Sequence, residues 1–464
     1  MLGRQLPQMV AALVLARIMG PETYGVVSAA TIYVTLTTLL LDQGLGVSLV
    51  QRPKIDPRLP GAVSTVNLTS ALLLAGVTAA TAPAMAAFFG APQLEPLLVT
   101  LGCGLILKAV AITPRSLLQR HLRFREIGVS DAAAGVLGAA AGITAAVLGA
   151  DVWSMIWLTF STDLIVASTL CVYARAGLPN LQMRLVREVL PFSIRIFGSN
   201  ALAYISRNVD NVLVGRFLGV TSLSLYAMSY RILAVPVQFI GQTVNRVAFP
   251  LFSRLAGDRE RLAAGLLQST ELLAFASVLP MAAAAIAAPQ LIQTVLGTEW
   301  LGAAPILSVL SIAGARETIF NITGPLMRST GDGKLILRYE WLAAAVQLGG
   351  IVAGLQFGAV GVAVGLTTAG FALSPVLLAI QHRITGVTVG RQLLSMLAPV
   401  HAAGWGCVAY SAVGWMLPAG VHLRLVLGLC AYLLFAVAVL ALCHRARTRR
   451  VLATAREMLF RRKS

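Results

Sequence analysis

Seven basic residues sit inside long apolar stretches of the 464-residue chain: Arg4, Lys108, Arg195, Arg207, Arg231, Arg246 and Arg316. Five acids share that setting: Asp42, Asp163, Asp210, Glu271 and Glu317. A guanidinium grips phosphate or carboxylate through two parallel N–H donors, and an ammonium does so as a point charge. A charge at the centre of a bilayer costs about 2.5–3.5 kcal/mol on insertion scales, so these groups face the protein interior or a wet cavity. Seven cations against five acids leave a positive surplus even if every acid is paired, which is the chemistry of an anion site. None of Lys54, Lys108, Lys334 and Lys463 completes a G-x-x-x-x-G-K-[ST] loop, so no nucleotide site is expected. The five histidines are scattered, and Cys103, Cys171, Cys407, Cys430 and Cys443 lack paired spacing. Neither a metal nor a disulfide framework follows, so no cofactor is expected and the coupling ion stays open.

The densest polar cluster is YISRNVDNVLVGRFLG, residues 204–219. On a helix, Asn200, Tyr204, Arg207 and Asn211 follow spacings of four, three and four, which stacks them on one face. Asp210 lies beside that stripe. One polar stripe on an otherwise apolar helix is expected to form a cavity wall. The competing reading is that Arg207 and Asp210 neutralise each other as an i, i+3 pair. That reading leaves out Lys108, Arg231 and Arg246, whose chain neighbours are uncharged, although acids on other helices remain available as partners, as Glu317 is for Arg316.

The elements that hold these residues follow from composition. Hydrophobic residues make up 57% of the chain and charged residues 12%, with a mean hydropathy of +0.81; soluble domains run at about 45–50% apolar. The chain therefore reads as an all-α integral membrane protein. A spanning helix needs about 20 apolar residues, and fourteen runs fit, at roughly 2–19, 26–49, 61–89, 96–117, 128–149, 152–174, 191–217, 222–250, 262–287, 290–315, 335–356, 358–380, 392–416 and 423–443. Thr298, Glu299 and Trp300 interrupt the tenth, whose alternative placement is 303–327. The first run leads through Gly20-Pro21 into another span and so reads as a span, not as a cleaved signal peptide. Connecting loops are too short for a catalytic domain, which argues against a membrane glycosyltransferase or polymerase, and no enzyme is expected.

Charge sets the orientation. If both ends face one side, the loops and tail on that side hold 26 of the 36 Lys and Arg residues. The opposite side has only Arg17, Arg216 and Arg424 near it. The positive-inside rule then places both termini in the cytoplasm, and the formal charge of +18 requires no nucleic acid. The tail RARTRRVLATAREMLFRRKS reads as a basic amphipathic helix on anionic lipid, and LQMRLVREVL reads as a surface elbow.

The chain also repeats itself. VLARIMGPETYG answers VLVGRFLGVTSLSLYA, with Gly20 opposite Gly219; PLLVTLGCG answers PILSVLSIAG; GADVW answers GAVGV. Six spans are thus duplicated, with two added at the end. An even number keeps both copies in the same sense, giving two parallel six-helix lobes with a cavity between them near mid-depth, a transporter-like geometry. The expected division is 1–175 (N-terminal lobe), 176–190 (elbow), 191–383 (C-terminal lobe), 384–443 (two additional helices) and 444–464 (basic tail).

LARIMGPETYG with LLDQGLGVSLVQR, YISRNVDNVLVGRFLG, YRILAVPVQFIGQTVNRVAFPLFSRL and LGTEWLGAAPIL resembles the Wzx/PST-type polysaccharide flippases of the MOP exporter superfamily, from about Leu13 to about Arg391. The resemblance implies a bacterial inner-membrane flippase that moves a polyprenyl-pyrophosphate-linked oligosaccharide to the outer leaflet, working beside a polysaccharide polymerase and glycosyltransferases. It implies roles for Asp42, before Gly44, and for Arg17 of the A-R-x-x-G turn. Substrate contacts are expected from these two together with Lys108, Asn200, Tyr204, Arg207, Asp210, Asn211, Arg231, Arg246, Arg316 and Glu317. Two alternatives stay open within the superfamily: a cation-coupled drug or solute antiporter, which would want an acidic cavity, and a lipid II-type precursor flippase.

Overall fold

The computed structural model describes the backbone except at residues 1, 43, 53, 175–178, 188–189, 256, 417–419 and 461–464, and side chains except also at 2–6, 42, 183, 187, 190–203, 205–207, 234–236, 238–247, 249–251, 452 and 454–460. The chain is helical almost throughout. In order the helices are α1 (Leu2–Asp42), α2 (Leu45–Gln51), α3 (Leu59–Phe89), α4 (Leu94–Arg120), α5 (Phe124–Val147), α6 (Trp153–Ala174), α7 (Met183–Arg187), α8 (Leu190–Leu255) and α9 (Arg259–Ile286). There follow α10 (Ala288–Val295), α11 (Ala303–Phe320), α12 (Thr323–Ser329), α13 (Gly333–Leu355), α14 (Gly358–Thr385), α15 (Val389–Met416), α16 (Val421–Cys443) and α17 (Arg445–Phe460).

Twelve helical segments among the described residues are long and apolar enough to cross a membrane. Two of them, Pro7–Leu41 and Asn208–Leu233, are each interrupted by a glycine outside helical geometry, Gly20 (φ 73°, ψ 171°) and Gly219 (φ 86°, ψ 168°). Each is a pair of apolar runs joined at one residue, and the expected runs fall on helix apart from a break after Asp42 in the second and one in the tenth. The tenth run needs correcting. Gly297 (φ 101°) and a 3₁₀ turn over Thr298–Trp300 break it, leaving the short α10, and the long apolar segment is Ala303–Ser329, as the alternative placement expected. Trp300 is fully buried, so the aromatic that interrupts the apolar run anchors the break.

The duplication is written in the backbone. Left-handed or positive-φ residues occur at Gly20 and Gly219, Gly90 and Gly297, Leu122 and Gly331, and Gly149 and Gly358. The paired positions lie 199, 207, 209 and 209 residues apart. A positive φ is uncommon for any residue but glycine. Four such breaks recurring in the same order therefore mark the same chain path run twice.

Residue contacts divide the chain into two compact units, Met1–Ser224 and Leu225–Ser464. In the first, α4 packs on α3 and α6, and α5 on α1 and α6. Antiparallel register between α3 and α4 is fixed by Thr78 against Gly102, and by Ala71 sharing a buried cluster with Leu105 and Ala109. Leading into α7, Asn180 donates to the Arg58 carbonyl at 2.8 Å and accepts at its own carbonyl from Thr65 at 2.6 Å. Val186 of α7 is buried with Leu45, Leu49 and Leu59. The elbow is thereby tied to the first unit.

In the second unit α9 packs on α11 and α15, α13 on α14, and α15 on α16. Gly350 faces Gly365 and Gly354 faces Gly361 with backbones in direct contact, a small-residue helix crossing of the kind that lets membrane helices approach closely. Gly354→Val and Gly365→Val are each expected to destabilise the unit by about 1–3 kcal/mol through overpacking. Gly349→Val, where an added carbon meets nothing within 4 Å, serves as the neutral control in thermal unfolding of the purified protein.

Candidate functional site

The first segment of α8 carries the polar stripe, and its helical backbone up to Gly219 gives the stripe the expected spacing. Tyr204 donates its hydroxyl to the Ile32 carbonyl of α1 at 2.9 Å, and the Thr35 hydroxyl is within hydrogen-bonding reach of the same phenol. Asn208 donates to the Tyr204 carbonyl at 2.9 Å. Asp210 is buried and accepts from the backbone and side-chain amides of Asn211, at 2.8 and 3.3 Å. The Asn211 carbonyl oxygen is buried without a hydrogen-bond partner. The side chains of Asn200, Arg207 and Arg246 lie outside the described residues, as do those of Asp42, Arg4 and Arg195. Asp42 ends α1 directly after the buried Leu41.

Tyr204 meets α1 beside a second polar stripe. Thr31, Thr35 and Thr38 of α1 recur at spacings of four and three, on one helical face. Each donates its hydroxyl back to a carbonyl four residues earlier, at 2.8, 2.7 and 2.7 Å. A threonine that spends its proton in this way still offers oxygen lone pairs outward. Tyr33 and Thr81 share a further hydrogen bond of 2.7 Å nearby. Where α1 meets Tyr204 the protein is therefore rich in acceptors. The signal, TIYVTLTT, was visible in the sequence, but threonine is apolar enough to pass within a spanning run.

The predicted cations separate into distinct settings. Lys108 of α4 is paired: its ammonium lies 2.7 Å from Asp163 of α6, with the acid largely buried. Glu271 of α9 interacts electrostatically with Arg447 and Arg450 of α17. Of the other basic residues at membrane depth, Arg231 and Arg316 have described side chains. Arg316 of α11 donates to the Ser374 hydroxyl of α14 at 3.0 Å, lies 5.2 Å from the Phe320 ring centre, and interacts electrostatically with Tyr339 of α13. One of its terminal nitrogens is buried without a partner. Glu317 and Arg231 are exposed.

Arg17 is exposed near Gly20, and its counterpart in the repeat, Arg216, shows what that position does in one copy. Arg216 donates to the Phe88 carbonyl at 2.8 Å and lies 5.0 Å from the Phe88 ring centre. Phe88 is in the last turn of α3, where carbonyls lack helical partners and the helix dipole favours a cation. Arg216→Ala is expected to lower stability by about 1–2 kcal/mol, with Lys restoring part of it, read from thermal unfolding.

Spanning helices with charge at membrane depth define a multi-pass membrane protein. The chain aligns with a solved structure of the lipid II flippase MurJ in an inward closed conformation at a TM-score of 0.70 and 13% identity, covering 95% of this chain and 97% of that one; the two share a fold. The model of the polysaccharide biosynthesis protein family matches residues 14–305, and the chain belongs to that family. It is 27% identical to the teichuronic acid biosynthesis protein TuaB of Bacillus subtilis over 330 residues, 68% of either chain. It is 27% identical to the succinoglycan biosynthesis transport protein ExoT of Rhizobium meliloti over 345 residues, 74% of this chain and 69% of that one. These likenesses agree with the Wzx-type resemblance of the sequence motifs.

Proposed function

We propose that this chain carries a polyprenyl-pyrophosphate-linked oligosaccharide from the cytoplasmic to the outer leaflet for cell-surface polysaccharide assembly, by alternating access through a basic central cavity. The observation that supports it most is the Tyr204 hydroxyl seated on the Ile32 carbonyl of α1, within the first unit, which brings the helix that bears Arg207 onto the stretch of α1 carrying Thr31 and Thr35. Acceptors suit the sugar hydroxyls, and arginines suit the pyrophosphate. The prenyl chain stays in lipid. With the cell interior negative, moving about two negative charges outward gains about 4–5 kcal/mol per 100 mV, so ATP is not needed. A drug antiporter would want a surplus of acid at this depth, and the membrane-depth charges favour cations.

The test is reconstitution of the full chain into liposomes carrying a polyprenyl-pyrophosphate oligosaccharide, with leaflet position read by an impermeant glycosidase. Protein-dependent exposure is expected. Transport of a cationic drug without exposure of the glycan would overturn the reading. Orientation in the bacterial inner membrane, with both termini cytoplasmic, rests on the placement of 26 of 36 basic residues. Cysteines at Asp56 and Asp332, both exposed, are expected to resist an impermeant thiol reagent outside whole cells. One at Glu95 is expected to react, and the opposite pattern would reverse the orientation.

A further inference from the structure

A chain of hydrogen bonds at the end of α16 has no part in the transport reading. The Trp405 indole donates to His401 Nε2 at 3.0 Å, and His401 Nδ1 lies 3.1 Å from His444 Nε2. Indole N–H only donates. His401 Nε2 must therefore be an acceptor, which puts the proton of a neutral His401 on Nδ1. That proton then points at His444 Nε2, which must also accept. The relay needs both imidazoles neutral, and a proton added to either one turns a hydrogen bond into two donors facing each other.

His444 is the hinge between α16 and α17, with φ −128° and ψ 27°. Beyond it, α17 is held against the second unit. Arg447 donates to the Leu394 carbonyl of α15 at 2.6 Å, and Thr448 donates to the Leu440 carbonyl of α16 at 3.3 Å. Val451 is buried, and Glu271 of α9 attracts Arg447 and Arg450. The sequence-based expectation placed the whole tail on a lipid surface; the structure seats its first turns on α9 and α15. Partial burial, together with His401 and Arg447, holds His444 below its ordinary value of 6.5. A base depressed in the docked state stabilises docking above its undocked pKa, and that contribution is lost as pH falls through 6.5 and below.

We propose that α17 is a pH-operated latch: with His444 neutral and accepting from His401 it is docked on α15 and α9, and a proton on His444 Nε2 breaks that bond and releases the helix, basic and amphipathic, onto an anionic leaflet. The charged groups facing the pair are Arg447 beside His444, and Glu271 beyond it with Arg447 and Arg450. Protonation adds positive charge next to Arg447, while the attraction of Glu271 for the tail persists, so release depends on the relay. Freed of their contacts, Arg445, Arg447, Arg449 and Arg450 suit anionic headgroups. The membrane side rests on the proposed orientation of the chain; the docking contacts do not.

The experiment is pulsed electron spin resonance on the full chain in nanodiscs. Labels are placed at Glu260 and Ala453, both exposed, after the five native cysteines are replaced by serine. A narrow distance distribution at pH 8 is expected to broaden and shift by pH 5.5, more completely in discs with anionic lipid than in neutral ones. His401→Ala combined with His444→Ala is expected to give the released distribution at both pH values. Trp405→Phe, which keeps the ring but frees His401 Nε2, is expected to raise the transition midpoint by about 0.5–1 pH unit. A wild-type distribution unchanged between pH 8 and 5.5, or the same transition in the double histidine variant, overturns the proposal. The readout is tail position and not export, so it stands or falls separately from the transport reading.

Discussion

Lys108→Ala is expected to unfold the first unit well before it impairs recognition of any ligand. Its ammonium is 2.7 Å from Asp163, and that carboxylate is 7% exposed. Removing one partner leaves a charge stranded between α4 and α6, which costs about 3–5 kcal/mol for a buried pair. Asp163→Asn is expected to cost a similar amount from the other side. Replacing both, as Lys108→Met with Asp163→Leu, is expected to recover most of the loss, because an apolar pair of similar volume escapes the desolvation of two ions. Thermal unfolding of purified protein and abundance in membranes measure this. A Lys108→Ala variant of normal stability that nonetheless fails to export glycan would return Lys108 to the set of ligand contacts.

Arg207→Ala and Arg231→Ala are expected to act the other way, leaving the protein inserted at normal abundance while export falls. Once Lys108, Asp163 and Glu271 are accounted for, the remaining membrane-depth charge is dominated by arginine, and Arg207 shares a helix face with the Tyr204 and Asn211 stripe. One charge-assisted hydrogen bond to phosphate is worth about 1.5–3 kcal/mol, or about a 10- to 150-fold loss of rate per arginine. Lysine is expected to restore part of it, keeping the charge without the planar fork. Surface glycan in cells lacking the native gene, measured alongside membrane levels, decides the matter. Normal export by both alanine variants rejects these two residues as substrate contacts, and loss of the protein itself assigns them to buried pairing.

Much of the architecture was legible because membrane spans are governed by length and apolarity, both of which lie along the chain. Gly20 and Gly219 were legible as turns for the same reason, since the chain must reverse where the apolar run has used its length. The tenth span was misplaced because an apolar count runs IQTVLG on into the next apolar segment, whereas Gly297 adopts φ 101° and ends the helix there. The pairings resisted reading for a different reason. Lys108 and Asp163 are 55 positions apart, and His401 and His444 are 43 apart, so only the packing of α4 on α6 and the docking of α17 bring them together. The threonine face of α1 failed on chemistry, because a hydroxyl that bonds its own helix is tolerated in lipid and leaves no dip in hydropathy.

The contact boundary at Ser224 falls in the middle of a helix, while the duplication restarts earlier, before the stripe that begins at Asn200. Tyr204 on Ile32, Arg216 on Phe88 and, just past the Gly219 break, Ser224 on the Pro21 carbonyl at 2.6 Å all bind the opening of the second copy to residues of the first. Anyone dividing this gene for co-expression of two fragments, or grafting a relative's half onto it, would naturally cut where the ancestral copies were joined, near the elbow. That cut removes from the first fragment a helix on which its own packing depends. A chimera whose seam follows descent therefore inherits a defect at Phe88 and Ile32, and the donor half must bring a matching arginine and tyrosine to repair it.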